Sequence, residues 1–198
     1  MSLVTCDISI SLDGYSSGPN QTLENPFGDG AFEPLTRWMI ETRAENQAEA
    51  DAIVEAGAYI MGRNMFTPGR GAWDEDWTGW WGEDPPYHAP VFVLTHHPRP
   101  TLTLQGGNSF EFVTDGIEAA LVRARAAAGS RSIAIAGGAH TVNQFLAAGH
   151  IDELRLHIAP VVLGRGDRLF EGVVDQRFEQ VAARSASQVQ HLTYRRTA

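Results

Sequence analysis

Three short segments of this chain combine glycine with residue types suited to holding an anion. The first is Met61-Gly62-Arg63-Asn64-Met65-Phe66. Gly62 permits a tight turn, and a helix opening after it would present free N–H groups to negative charge. Arg63 adds a planar, permanently charged donor that suits a phosphate. The second is Thr95-His96-His97-Pro98, a hydroxyl and imidazoles at the end of an apolar run. The third is Gly137-Gly138-Ala139-His140-Thr141, where two glycines would let backbone N–H groups approach a pyrophosphate. Each segment also has a plain structural reading: a turn before a surface arginine, a proline-broken loop, and a helix start packed closely on a sheet. A fourth candidate is Asp13, followed by Gly14 and Tyr15. Its carboxylate could hydrogen-bond a substrate or relay a proton, or it could cap its own turn.

Composition removes several other chemistries. All 15 basic residues are arginine and none is lysine, so lysine Schiff bases and Walker-type phosphate clamps are excluded. The formal net charge of -9 argues against a nucleic-acid partner. No H-E-x-x-H or cysteine-based zinc spacing is present, and His96 and His97 are adjacent, so no metal site is expected. The G-x-S-x-G elbow and the G-x-G-x-x-G fingerprint are both missing. No apolar run is long enough to span a bilayer, and the N-terminus lacks a basic stretch leading into an apolar core, so a cytoplasmic location is expected. The single cysteine, Cys6, fits a reducing compartment.

The candidates need elements to position them. Residues 4–12 alternate apolar and polar, which predicts a strand with one packed face and one face toward water or a cleft. A segment rich in Gly, Pro, Asn and Ser continues to about Gly30. Leu35, Trp38 and Met39 share a helical face after Pro34, and Asn46 with Glu49 reads as a capping box for a helix ending at Gly57. Short apolar runs at 58–61, 91–95, 110–114 and 132–136 predict strands, and residues 68–90, with four of the five tryptophans, predict an irregular loop. Helices are expected from Asp115, with Glu118 in its cap, to Gly129, and around Val142, Phe145 and Leu146. Residues 154–163 predict a long strand with His157 as a structural histidine, and 178–184 with 188–195 predict a closing pair. Alternating strands and helices imply one α/β domain over 1–198, with a mixed, mostly parallel central sheet, helices on both faces and an antiparallel C-terminal edge.

In their order, these segments resemble the dihydrofolate-reductase-like superfamily, above all the stand-alone relatives of the riboflavin-biosynthesis reductase domain. The resemblance rests on Ser11-Leu12-Asp13-Gly14, Met61-Gly62-Arg63, Val91–Thr95, Ala136-Gly137-Gly138 and the run Ile158 to Gly164 with Leu169-Phe170. It implies a three-layer fold of that type and an NADPH site. Arg63 and Asn64 would hold phosphate, with Gly62 and Met65 also at the cofactor, and Thr95 and His96 would lie near the adenosine ribose and its phosphate. Gly137, Gly138, Ala139, His140 and Thr141 would wrap the pyrophosphate. It further implies that Asp13, Gly14 and Tyr15 border the substrate, a small heterocycle of pterin or pyrimidine type, and that the chain forms a homodimer. Glu33 and Glu41 are regional candidates for the carboxylate that grips the pterin in true dihydrofolate reductase. The expected activity is hydride transfer from NADPH to a C=N or C=O bond; the alternative is a catalytically silent protein of the same fold that binds NADP(H) or another ligand.

Overall fold

The computed structural model describes residues 2–69 and 71–197; residues 1, 70 and 198 of the expected domain lie outside the described residues. A nine-stranded sheet is built from β1 (Val4–Ile10), β3 (Ala58–Gly62), β4 (Pro90–Leu94), β5 (Leu102–Thr103), β6 (Ser109–Val113), β7 (Ile133–Gly137), β8 (Glu153–Ile158), β10 (Phe178–Ala186) and β11 (Val189–Arg196). Its order is β10-β11-β8-β1-β7-β3-β4-β6-β5. The six strands from β8 to β6 run parallel, and β11 joins β8 antiparallel, so the C-terminal pair closes one edge as the sequence predicts. A separate two-stranded ladder joins β2 (Tyr15–Ser17) to β9 (Asp167–Arg168).

The strands' period of two sorts their side chains into two cores. Val4, Cys6, Ile8, Ile60, Ile133, Ile135 and Leu156 pack under α4 (Gly116–Ala128) and α5 (Ala139–Ala147). On the opposite face, Tyr59, Met61, Val91, Val93 and Phe110 pack under the tryptophan-rich segment. Farther along that face lie α1 (Phe32–Ile40) and α2 (Gln47–Ala52), with Trp38, Ala50 and Val189 in contact. Helices therefore cover both faces, but half of the second layer is irregular backbone held by aromatic rings.

Four expectations need correction. The polar side of β1 meets neither water nor a cleft. The Asp7 side chain is only 5% exposed and accepts from Arg155 at 3.3 Å, and Ser9 accepts the Trp38 indole N–H at 2.9 Å. Second, Asn46 does precede α2, but its side chain does not cap it. The amide donates to the carbonyls of Trp38 and Thr42 and accepts from Arg184, while Glu49 forms a two-pronged pair with Arg184 at 2.7 and 2.8 Å. Tertiary charge pairing has outcompeted the local box, and α2 ends at Ala52. Third, Asp115 precedes α4 without a capping bond and pairs with Arg123, and Glu118 pairs with His150. Fourth, β8 stops at Ile158; Pro160 breaks the run and only loop bonds continue it.

His157 is buried in that polar layer. Its Nδ1 lies 2.8 Å from Nδ1 of His191, whose Nε2 reaches Asn46 Oδ1 at 3.0 Å. One N–H sits between two ring nitrogens, so the accepting imidazole must stay neutral there. Burial, and then the neighbouring His157, hold His191 down at about 4, with Arg184 adding to this and Glu49 and Glu45 opposing it. The unfolded chain takes up this proton near its ordinary value of 6.5, before the folded protein does. Stability contributed by the neutral ring is present above that value and is lost as pH falls toward 4. The melting temperature should therefore drop across this window, and His191→Asn should flatten the drop. Parallel profiles for the two proteins would disprove the assignment.

Candidate active site

The three strand ends converge. β7, β3 and β4 are consecutive neighbours in the sheet, so their carboxyl ends open side by side, where ligands of open α/β sheets bind. A cleft of about 360 Å³ lies there, lined by Gly62, Arg63 and Asn64, by Thr95 and His96, and by Gly138, Ala139, His140 and Thr141. Met65 and Gly137 are not on its wall. Gly137 acts from behind: its φ is 127°, a conformation that favours glycine, and it turns the chain from β7 into α5. A Cβ on Gly62 would stand 2.3 Å from Thr141 Oγ1, so glycine there lets the start of α5 close on the end of β3.

Arg63 has unmet bonding capacity. Among the described residues its guanidinium donates only to the Ala72 carbonyl, at 3.4 Å, and its buried Nε has no partner. Burial lowers its pKa, the signature of a cation held partly out of water without a counter-charge. The helix it opens is a single turn, Arg63–Phe66, shorter than the sequence implies, so the side chain rather than a helix terminus carries this wall's positive charge. At α5, by contrast, nine residues come after Gly138 and no side chain caps the first turn.

The sequence reading missed part of the cleft. β6 contributes a fourth strand end through Val113, Thr114, Gly116 and Ile117, and Thr114-Asp115-Gly116 is the same strand–turn–helix signal as the other ends. His97 and Gln144 also line it. Asp167, on β9, brings a carboxylate to the wall and lies 3.4 Å from His140 Nε2. No local pattern marks Asp167, because only the β2–β9 ladder carries it there.

Asp13, Gly14 and Tyr15 do not line this cleft. The Asp13 carboxylate accepts from Ser11 Oγ at 2.6 Å and from the backbone N–H groups of Leu163 and Gly164 at 3.1 and 2.7 Å. The Ser11 bond, joined by those two amides, lowers its pKa. A carboxylate committed to three donors and held ionised is a poor proton donor at neutral pH. The Gly14 carbonyl receives the Leu169 N–H, and Tyr15 pairs with Arg168 on β9. These residues tie the end of β1 to the segment after β8. Glu33 and Glu41 both flank Arg37 along α1 and are more than half exposed, so neither is a buried carboxylate.

Among the described residues no cluster of three metal-ligating side chains occurs, and no helix is long and apolar enough to cross a membrane. A mostly parallel sheet with antiparallel C-terminal strands and a cleft at its strand ends defines a dihydrofolate-reductase-like α/β protein. Within that class the chain belongs to the RibD C-terminal domain family, whose model matches residues 2–192. It is 24% identical over 177 residues to the Bacillus subtilis (strain 168) protein YyaP, covering 84% of this chain and 79% of that one. A putative riboflavin biosynthesis protein from Shewanella sp. PV-4 shares the fold with a TM-score of 0.66, 23% identity and 99% of each chain covered. Dihydrofolate reductase from Enterococcus faecalis, solved with NADP(H), shares it with a TM-score of 0.57 and 15% identity, over 99% of this chain and 97% of that one.

Proposed function

We propose that this protein is an NADPH-dependent reductase that delivers a hydride to a C=N or C=O bond of a small pterin- or pyrimidine-like heterocycle. The observation that carries the reading is the cleft: adjacent strand ends bring together an arginine whose Nε has no partner among the described residues, an uncapped helix start and glycine-lined backbone. The family and an NADP(H)-bound reductase of the same fold support it. NADPH when bound supplies the hydride. The chain supplies binding and orientation: Arg63, Asn64, Thr95 and His96 for the phosphorylated adenosine half, and Gly138 to Thr141 for the diphosphate. Gly62 and Gly137 keep those walls close, with Met65 behind them. Asp13, Gly14 and Tyr15 serve the substrate side by fixing the loop that leaves β1, rather than by proton transfer from Asp13. A cytoplasmic homodimer is part of the proposal.

Calorimetry with NADPH and NADH, then a panel of pterin, pyrimidinone and quinone acceptors monitored at the nicotinamide absorbance, tests it. The expected result is tighter binding of NADPH than of NADH, with oxidation by at least one acceptor. Binding without turnover across the panel would favour the catalytically silent alternative. Absence of binding to either nucleotide would reject the reductase and leave of the alternative only a silent protein that binds another ligand.

A further inference from the structure

Among the described residues no tryptophan lines the cleft, yet three indoles of the tryptophan-rich segment hold the turn and the loop that bring Arg63 and His97 to it. Trp77 Nε1 donates to the Phe66 carbonyl at 2.9 Å, and Trp80 Nε1 to the Met65 carbonyl at 3.0 Å. Both acceptors lie in the single turn α3 (Arg63–Phe66), which has no longer helix to hold it in place. Trp73 does more. Its ring lies 4.0 Å from the Arg63 guanidinium, and its Nε1 donates to the His97 carbonyl at 2.9 Å. One side chain thus joins the end of β3 to the loop after β4. Behind it, Trp73 packs edge-on to Phe112 at 4.9 Å and to Phe66 at 6.0 Å. Arg99, 5.4 Å from the same ring, donates to the carbonyls of Glu75 and Trp77 and pins the segment.

An arginine on a free stem samples many rotamers, and ordering it on binding costs affinity. A guanidinium stacked on an indole is already ordered, and its edge N–H groups stay available because stacking uses only its face. We propose that Trp73 is a positioning residue that fixes Arg63 for the phosphate on the adenosine ribose, and so sets the preference for NADPH over NADH. This rests on the proposed cofactor role of the same cleft. If the arginine meets that phosphate, Trp73 should matter for the phosphorylated dinucleotide and little for the other.

The test is calorimetry of the full chain with NADPH and with NADH for the wild type, Trp73→Phe and Trp73→Leu. Leucine keeps apolar contact with Phe66 and Phe112 but removes the stacking face. The NADPH dissociation constant should rise about two- to tenfold with leucine, matching the cost of ordering one free arginine side chain on binding. The NADH constant should hold, so the preference ratio falls, and phenylalanine should restore most of it. An unchanged ratio in Trp73→Leu, or equal weakening of both nucleotides, overturns the proposal while leaving the cofactor role intact. Wild-type protein that binds neither nucleotide overturns both. Should leucine unfold the chain, Trp73→Met is read in the same way.

Discussion

Replacing Arg63 with alanine is expected to raise the dissociation constant for NADPH about tenfold to a hundredfold. A charge-assisted hydrogen bond to phosphate contributes roughly 1.5–3 kcal/mol, and each 1.4 kcal/mol is a factor of about ten. Among the described residues no other permanent cation lines that wall. The chain has no lysine, and among the described residues the other basic groups lining the cleft are the imidazoles of His96, His97 and His140. His140 already faces the Asp167 carboxylate. The fold should tolerate the change. Among the described residues Arg63 makes one weak hydrogen bond and one stacking contact, so stability should fall by less than about 1 kcal/mol. Affinity and melting temperature thus separate in one variant. Unchanged affinity would remove Arg63 from the site; a large stability loss would show that the residue is structural.

The strand ends are legible in the sequence because each is a local event. An apolar run of five residues stops at glycine or threonine and gives way to helix or loop. That pattern placed Gly62, Thr95 and Gly138 correctly at the ends of β3, β4 and β7. What it could not give is the partner of each polar side chain. Asn46 and Glu49 make a sound capping box on paper, but Arg184, more than 130 residues away, offers charge-assisted bonds that the local box cannot match. Asp167 is invisible for the same reason, since it reaches the cleft only through pairing with Tyr15–Ser17. The polar face of β1 read as facing water or a cleft because single-sequence alternation cannot tell either from a buried ionic layer, and here Arg155, His157 and Trp38 cover it. For Asp13 both readings were open, and no local pattern shows that its carboxylate accepts from the loop amides of Leu163 and Gly164, some 150 residues away.

The second large effect lies outside the cleft. Trp38 is fully buried and belongs to two systems at once. Its ring fills a small core with Ala50 and Val189, and it packs at 4.5 Å on His157 and 5.1 Å on His191. Its indole N–H satisfies Ser9. Trp38→Ala should therefore lower the unfolding free energy by about 3–5 kcal/mol, the usual loss for a large aromatic truncated in a core. That is a large share of the roughly 5–15 kcal/mol available to a domain. Trp38→Phe should lose clearly less, because it keeps most of the ring and forfeits mainly the bond to Ser9. Denaturant titration measures both, and a loss below about 1 kcal/mol for alanine would mean that the polar layer stands without the ring. No α1 residue lines the cleft, so the fraction of Trp38→Ala that remains folded should bind NADPH with the wild-type dissociation constant. Weaker binding by the folded fraction would instead couple the histidine layer to the cofactor walls through β1 and β7.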